Sequence, residues 1–255
     1  MSGNHLLEAR TILYQSVEQA IALFKEKNAG RYLGVLWYLL DPLFMFLIIL
    51  ALRGLVGKGI PNYPLYLLVG LLMYNFFMKT TTYAVNIFEF HRFHIRSVLI
   101  DPIIFPLSVL FLGLISHFFE ILILACFLLY YGVSLLNLAY YAIILAFYSL
   151  FILGVSLIVS IIGVNLSDIE NIWRFFCRLL LFATPIFYSS DLRMPVNLNI
   201  INPLYYFITL SRRILIQDQM PELSLVFATV FFSILSLSLG LFIFNAYRYK
   251  ILEKL

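Results

Sequence analysis

Charge is what this sequence has least of. Asp, Glu, Lys and Arg make up 12% of its 255 residues, against about 25% in an ordinary soluble domain. Hydrophobic residues account for 63%, and the mean hydropathy is +0.97. A soluble enzyme and a disordered chain have neither property, so both classes are excluded. Cysteine is scarce as well. Cys126 and Cys177 lie in apolar runs, which reads as packing and offers neither a disulfide framework nor a zinc site. A phosphate-binding loop is missing: the string RGLVGKGIP has Gly57 and Lys58, but Leu52 stands where the leading glycine belongs and Gly59 where Ser or Thr should follow. His91 and His94 flank Glu89 at a metal-like spacing, yet no third ligand converges, and they read as solvated histidines of a cytoplasmic helix. No Ser/His/Asp grouping or paired carboxylates appear at a membrane face. The reading is a non-enzyme without metal or cofactor of its own. MSGNHLLEAR does not read as a signal peptide.

What the sequence does have is a series of apolar runs long enough to cross a bilayer, which takes ~20 residues each. The first covers about 33–52 with Asp41 as its single charge, and the second about 65–88 with Lys79 alone. From Ile103 to Ser167 only Glu120 is charged. As one helix that run would reach ~98 Å, so it must fold back, best at YYGVSLLN (130–137), giving spans at 103–129 and 138–164. The last two spans fall at 172–188 and 223–246, and Pro185 is placed to break the former. Between them, SSDLRMPVNLNIINP reads as loop, and the segment from Pro203 as a short amphipathic helix capped by Asn202, together a re-entrant or interfacial hairpin. Residues 1–28 carry Leu6, Leu13, Val17, Ala20 and Phe24 on one helical face, opposite Glu8, Thr11, Gln15, Glu18 and Lys25. Such a helix lies in the interface plane.

The expected fold is therefore all-α and membrane-integral: an interfacial helix (1–28), a transmembrane domain (30–248) of six spans, and a tail (249–255). Arg10, Lys25, Lys27, Arg31, Arg92, Arg96, Arg174, Arg178, Arg248, Lys250 and Lys254 fall on the side of the termini. Only Arg53, Lys58, Arg193, Arg212 and Arg213 fall on the other. This bias puts both termini in the cytoplasm.

Each charge inside a span has a plain reading beside a sharper one. Arg174 and Arg178, one turn apart, either snorkel to lipid headgroups or guide a pyrophosphate headgroup. Lys79 reads as a snorkelling cation, and Glu120 with His117 as an interhelical hydrogen bond or a proton relay. Gly30 and Gly34 form a GxxxG pair that suits close helix packing. Aromatic residues are abundant, with 25 Phe, 17 Tyr and 2 Trp. An interfacial belt accounts for most of them, while a conduit for sugar polymers would use Tyr14, Trp37, Tyr38 and Tyr188 as stacking faces.

The motifs sharpen this reading. LGVLWYLLDPLF (33–44), with Leu33, Gly34, Trp37, Leu40 and Pro42, resembles the signature that opens the first span of type-2 ABC exporter permeases. IRSVLIDPIIFPLS (95–108) resembles the family's cytoplasmic coupling segment, with Ile100-Asp101-Pro102 in place of the usual Phe-Pro. NLSDIENIW (165–173), TPIFY (184–188) and NPL (202–204) resemble the loop after span four, the broken end of span five and the external helices beyond it. The resemblance implies a homodimeric permease in the bacterial inner membrane, served by two copies of a separate ATPase subunit that binds ATP and magnesium. Its coupling residues would be His91, Arg92, His94, Arg96 and Asp101. Within the family the chain looks most like exporters of polyprenyl-pyrophosphate-linked polysaccharide (O-antigen, capsule or teichoic acid). Exporters of drugs or small lipids share the architecture, and a proton-coupled carrier resting on Glu120 is a third class.

Overall fold

The computed structural model describes residues 2–56, 59–92, 100–166, 168–188, 198–216 and 221–254. The principal helices are α1 (Ser2–Asn28), α2 (Trp37–Ala51), α3 (Tyr63–Val85), α4 (Ile104–Tyr130), α5 (Asn137–Asn165), α6 (Ile169–Ala183), α7 (Pro203–Ile216) and α8 (Leu223–Lys254). One-turn helices at Arg53–Val56, Ile87–Phe90 and Leu198–Ile201 punctuate the connections.

Among the described residues, four stretches are long and apolar enough to cross a membrane: Gly34–Ala51, Ile104–Tyr130, Asn137–Asn165 and Leu223–Arg248. The two other expected spans differ from these, each for a physical reason. Helix α3 has 23 residues, ~34 Å of length, but its second half carries Asn75, Lys79 and the run Thr80–Thr82. It tolerates them because it is the centre of the bundle, in contact with α2, α4, α5, α6 and α7 and buried along most of its length. Helix α6 has only 15 residues, ~22 Å, and stops at Ala183 instead of running to Tyr188. Thr184 is extended, as a residue before proline must be, and Pro185 then prevents the helix from resuming.

Helices α5 and α8 make the most extensive contact in the bundle. A Cβ on Gly154 would come within 2.3 Å of the Ser236 backbone, and one on Gly240 within 2.5 Å of the Gly154 carbonyl. Ser233 and Ser236 donate across the seam to the carbonyls of Phe147 (2.8 Å) and Phe151 (2.9 Å). In lipid, where apolar surface gives helices no reason to associate, such close approach and interhelical hydrogen bonding supply the cohesion.

Helix α1 packs on α4 through Ser16, Ala20 and Leu23, with Leu13, Tyr14, Val17 and Ile21 facing outward. One expectation about the amino-terminal region needs correcting. Gly30 and Gly34 are not a helix-packing pair. They take positive φ (+70° and +26°) in the turn between α1 and α2, a conformation glycine adopts without steric cost.

Candidate functional site in a polar cavity of the bundle

A cavity of about 350 Å³ opens among the carboxyl end of α1, the start of α2, the second half of α3, the first half of α4 and the start of α6. Lys27, Lys79 and Arg174 reach it from three different helices, with Glu120 and Glu170 as its carboxylates and Tyr38, Phe76, Tyr83 and Phe90 as its rings. Gly113 makes room for the buried Thr80 hydroxyl, which a Cβ there would approach to 2.2 Å. Thr80 Oγ1 has no hydrogen-bond partner.

Lys79 stands at the centre. Its ammonium lies 2.8 Å from Asp41 on α2 and 3.7 Å from Glu120 on α4. Glu120 also contacts His117 Nδ1 at 2.7 Å, and His117 Nε2 contacts the Tyr141 hydroxyl of α5, again at 2.7 Å. A neutral His117 satisfies both contacts if Nδ1–H donates to the carboxylate and Nε2 accepts from Tyr141. The chain Asp41–Lys79–Glu120–His117–Tyr141 thus links four helices. Lys79 does not snorkel, and Glu120 with His117 is a joint in a network, not an isolated bond.

Helix α6 is fastened beside this network. Glu170 accepts from both Asn86 and Arg174, Trp173 Nε1 donates to Thr81 at 3.1 Å, and the Tyr74 hydroxyl donates to the Cys177 carbonyl. Cys177 is buried as a packing residue, whereas Cys126, expected to pack as well, is exposed. Near the cavity rim, Lys27 lies 4.3 Å from the Tyr83 ring centroid. Burial first, then the charges of Lys79 and Arg31, push its ammonium pKa below the ordinary value.

The opposite end of the bundle holds a second cation, and this one is buried. Arg212, on α7, is 4% exposed. It donates to the carbonyls of Tyr66 (3.0 Å), Pro185 (2.7 Å) and Ile186 (2.8 Å) and stacks 3.4 Å from the Tyr66 ring centroid. Asn202 bridges the same break, donating to Thr184 Oγ1 at 2.7 Å while its own Oδ1 accepts from the Leu204 amide.

The proposed site residues are dispersed over these regions. Arg174 borders the cavity with its charge taken by Glu170, while Arg178 is exposed one turn further along α6. Tyr38 edges the cavity within a stack of Phe24, Tyr38 and Phe119, with centroids 5.6–6.3 Å apart. Tyr14 and Trp37 are exposed elsewhere, on α1 and at the start of α2. Tyr188 is buried, its hydroxyl donating to the Phe182 carbonyl at 2.9 Å, so it packs against the break of α6. In the coupling segment, His91 is buried against Phe105 and is not a solvated histidine. Arg92 pairs with Glu89 at 3.9 Å. Asp101 accepts from the Ile103 amide at 3.1 Å just before α4. His94 and Arg96 lie outside the described residues. No group of metal-binding side chains forms among the described residues.

Comparison with known proteins adds relatives along nearly the whole chain. A protein of Klebsiella pneumoniae called O-antigen export system permease protein RfbA is 29% identical over 235 residues, covering 90% of each chain. A protein of the same name from Myxococcus xanthus is 23% identical over 256 residues, covering 98% of this chain and 97% of its own. No family model matches. The resemblance to polysaccharide-export permeases of the type-2 ABC class, carried above by short motifs, therefore extends over nearly the whole chain. With its apolar helices, it makes the chain a multi-pass protein of the bacterial inner membrane.

Proposed function

We propose that this chain is the channel-forming permease subunit of an ATP-driven exporter that moves undecaprenyl-linked polysaccharide, O-antigen in the first instance, across the cytoplasmic membrane. The observation that carries the reading is the outward face of α6. Asn171, Arg174 and Arg178 are exposed there together with Phe175 and Phe182, while the opposite side of the helix buries Cys177. Two arginines exposed on a membrane-embedded helix do not face hydrocarbon. They face water, a bound anion or another protein surface. A second copy of the chain opposing this face would enclose a wet path lined by cations and flat rings, which suits a diphosphate headgroup followed by sugars.

In this reading the membrane topology is six spans with cytoplasmic termini: α3 crosses inside the bundle, and α6 crosses incompletely before the hairpin built on α7. Arg174, at the cavity, and Arg178, one turn beyond it, take the headgroup in succession. The chain lacks a phosphate loop, so the energy comes from a separate ATPase, two copies per permease pair. The segment from Glu89 to Asp101 would receive its motion.

The test is export itself. A bacterial strain deleted for its own O-antigen permease, supplied with this chain and a cognate ATPase subunit, should restore surface polysaccharide, and the chain alone should not. Export of a small lipid with no polysaccharide on the surface would move the protein to the second class of cargo.

A further inference from the structure

Of the four stretches named above as long and apolar enough to cross a membrane, the one that contains α2 is the least buried. Only Pro42 and Phe46 are buried along it, while Phe44, Leu47 and Ile48 point outward. Its ion pair to the rest of the bundle is Asp41 with Lys79, at 2.8 Å. The two carboxylates that share Lys79 differ in kind. Asp41 is 61% exposed and rides on this loosely packed helix. Glu120 is 2% exposed and is fixed by His117, which Tyr141 holds in turn. The neighbouring cations do not compete for either carboxylate: Arg174 is engaged by Glu170, and Lys27 lies over Tyr83.

A cation stranded without a partner inside a membrane bundle is costly. Lys79 escapes that cost in two arrangements. With α2 docked it binds Asp41, and with α2 withdrawn the Glu120 carboxylate remains only 3.7 Å from Nζ. We propose that Lys79 is the positioning residue of α2, holding it through Asp41 and passing to Glu120 when α2 swings away from the bundle. The cavity mouth lies beside the start of α2, so this exchange would set its opening. The proposal rests on the permease reading only in assigning that motion to export.

The position of α2 can be read without any cargo. Phe46 on α2 meets Phe127 on α4 edge-on, with centroids 5.3 Å apart. Cysteines at both positions, in a full-length chain with Cys126→Ser and Cys177→Ala, should cross-link with a short bis-thiol reagent in native membranes. Asp41→Asn and Lys79→Met should each lower that yield at least about threefold, and Lys79→Arg should retain it. Glu120→Gln should leave the resting cross-link intact yet cut surface polysaccharide about tenfold, because Lys79 then has no second partner. In the exchanged pair Asp41→Lys/Lys79→Asp, the cross-link should return while export does not, since a carboxylate at position 79 faces Glu120. Normal export by Glu120→Gln, export restored by the exchanged pair, or a wild-type cross-link in Asp41→Asn would each overturn the hand-over. Loss of the resting cross-link in Glu120→Gln would overturn it too, by making Glu120 a direct support of α2. If the wild type exports no polysaccharide, the cargo assignment fails, and the cross-link in Asp41→Asn still decides whether α2 is held as proposed.

Discussion

Lys79 and Arg212 are both cations within the bundle, and they are accommodated in opposite ways. Lys79, at the inner cavity, is one-third exposed and shared by two carboxylates on two helices. Arg212, at the outer break, is almost wholly buried, and three carbonyl oxygens and the face of Tyr66 receive it. A guanidinium is a rigid planar fork that satisfies several acceptors at once, whereas an ammonium is a mobile point charge on a flexible stem. The outer site is therefore built to stay closed. It locks the interrupted end of α6 to α3 and α7, satisfying carbonyls that the helix break leaves without amide partners. The inner site is built so that a charge can change partners.

The contrast predicts a gradient of effects. The largest belongs to Arg212→Leu, which removes a donor shared by three carbonyls in a desolvated setting. It should destabilise the protein by about 3–5 kcal/mol, seen as a sharp fall in detergent-solubilised Tm or as failure to accumulate. Arg212→Lys should rescue little, because one ammonium does not span the carbonyls of Tyr66, Pro185 and Ile186 while stacking on Tyr66. A Tm near wild type for either would deny the lock.

Next come two glycines that each face one of the compared regions. Gly70→Ala places a Cβ 2.4 Å from an Arg212 guanidinium nitrogen, and Gly113→Ala places one 2.2 Å from Thr80 Oγ1. The first must displace an arginine held by three bonds, and the second a hydroxyl free to move. Overpacking costs about 1–3 kcal/mol, and Gly70→Ala should fall at the upper end and Gly113→Ala at the lower. A reversed order in thermal unfolding would show that the outer site is the more adaptable of the two.

Lys79→Met should cost less stability than Arg212→Leu, about 1–2 kcal/mol, because Asp41 is exposed and water can take over its hydration. The smallest stability effect belongs to Arg178→Ala, which touches no described partner and should stay within ~0.5 kcal/mol of wild type. Its export should nonetheless fall, with Arg178→Lys intermediate. Unchanged surface polysaccharide in Arg178→Ala, at equal expression, would remove it from the path of an anionic headgroup.

Much of the helical layout was legible beforehand, because apolar runs and their breaks are local properties. Gly132, with φ +70°, turns the chain between α4 and α5 inside YYGVSLLN, and Asn202 caps the helix that begins at Pro203. The misjudged positions share a cause. Tyr188 and His91 were read by residue type, and what buries each of them is remote in sequence or lies beyond its own helix. The network was present in the sequence only as a charge balance: Asp41, Lys79 and Glu120 are each the lone charge of their run, and two carboxylates with one cation in neighbouring spans is a reason to seek contact. Nothing local paired them.

The sequence by itself determined that the chain is helical, membrane-embedded and without a phosphate loop, because hydropathy, proline and the loop's glycine–lysine spacing act over a few residues. Only the tertiary structure decided which polar groups meet. It made α3 the polar axis of the bundle, closed α5 on α8 through Gly154 and Gly240, and set one lysine between an exposed and a buried carboxylate. The physical reason is that a charge in a low-dielectric interior is stable only beside its partners, and partners on separate helices are chosen by packing.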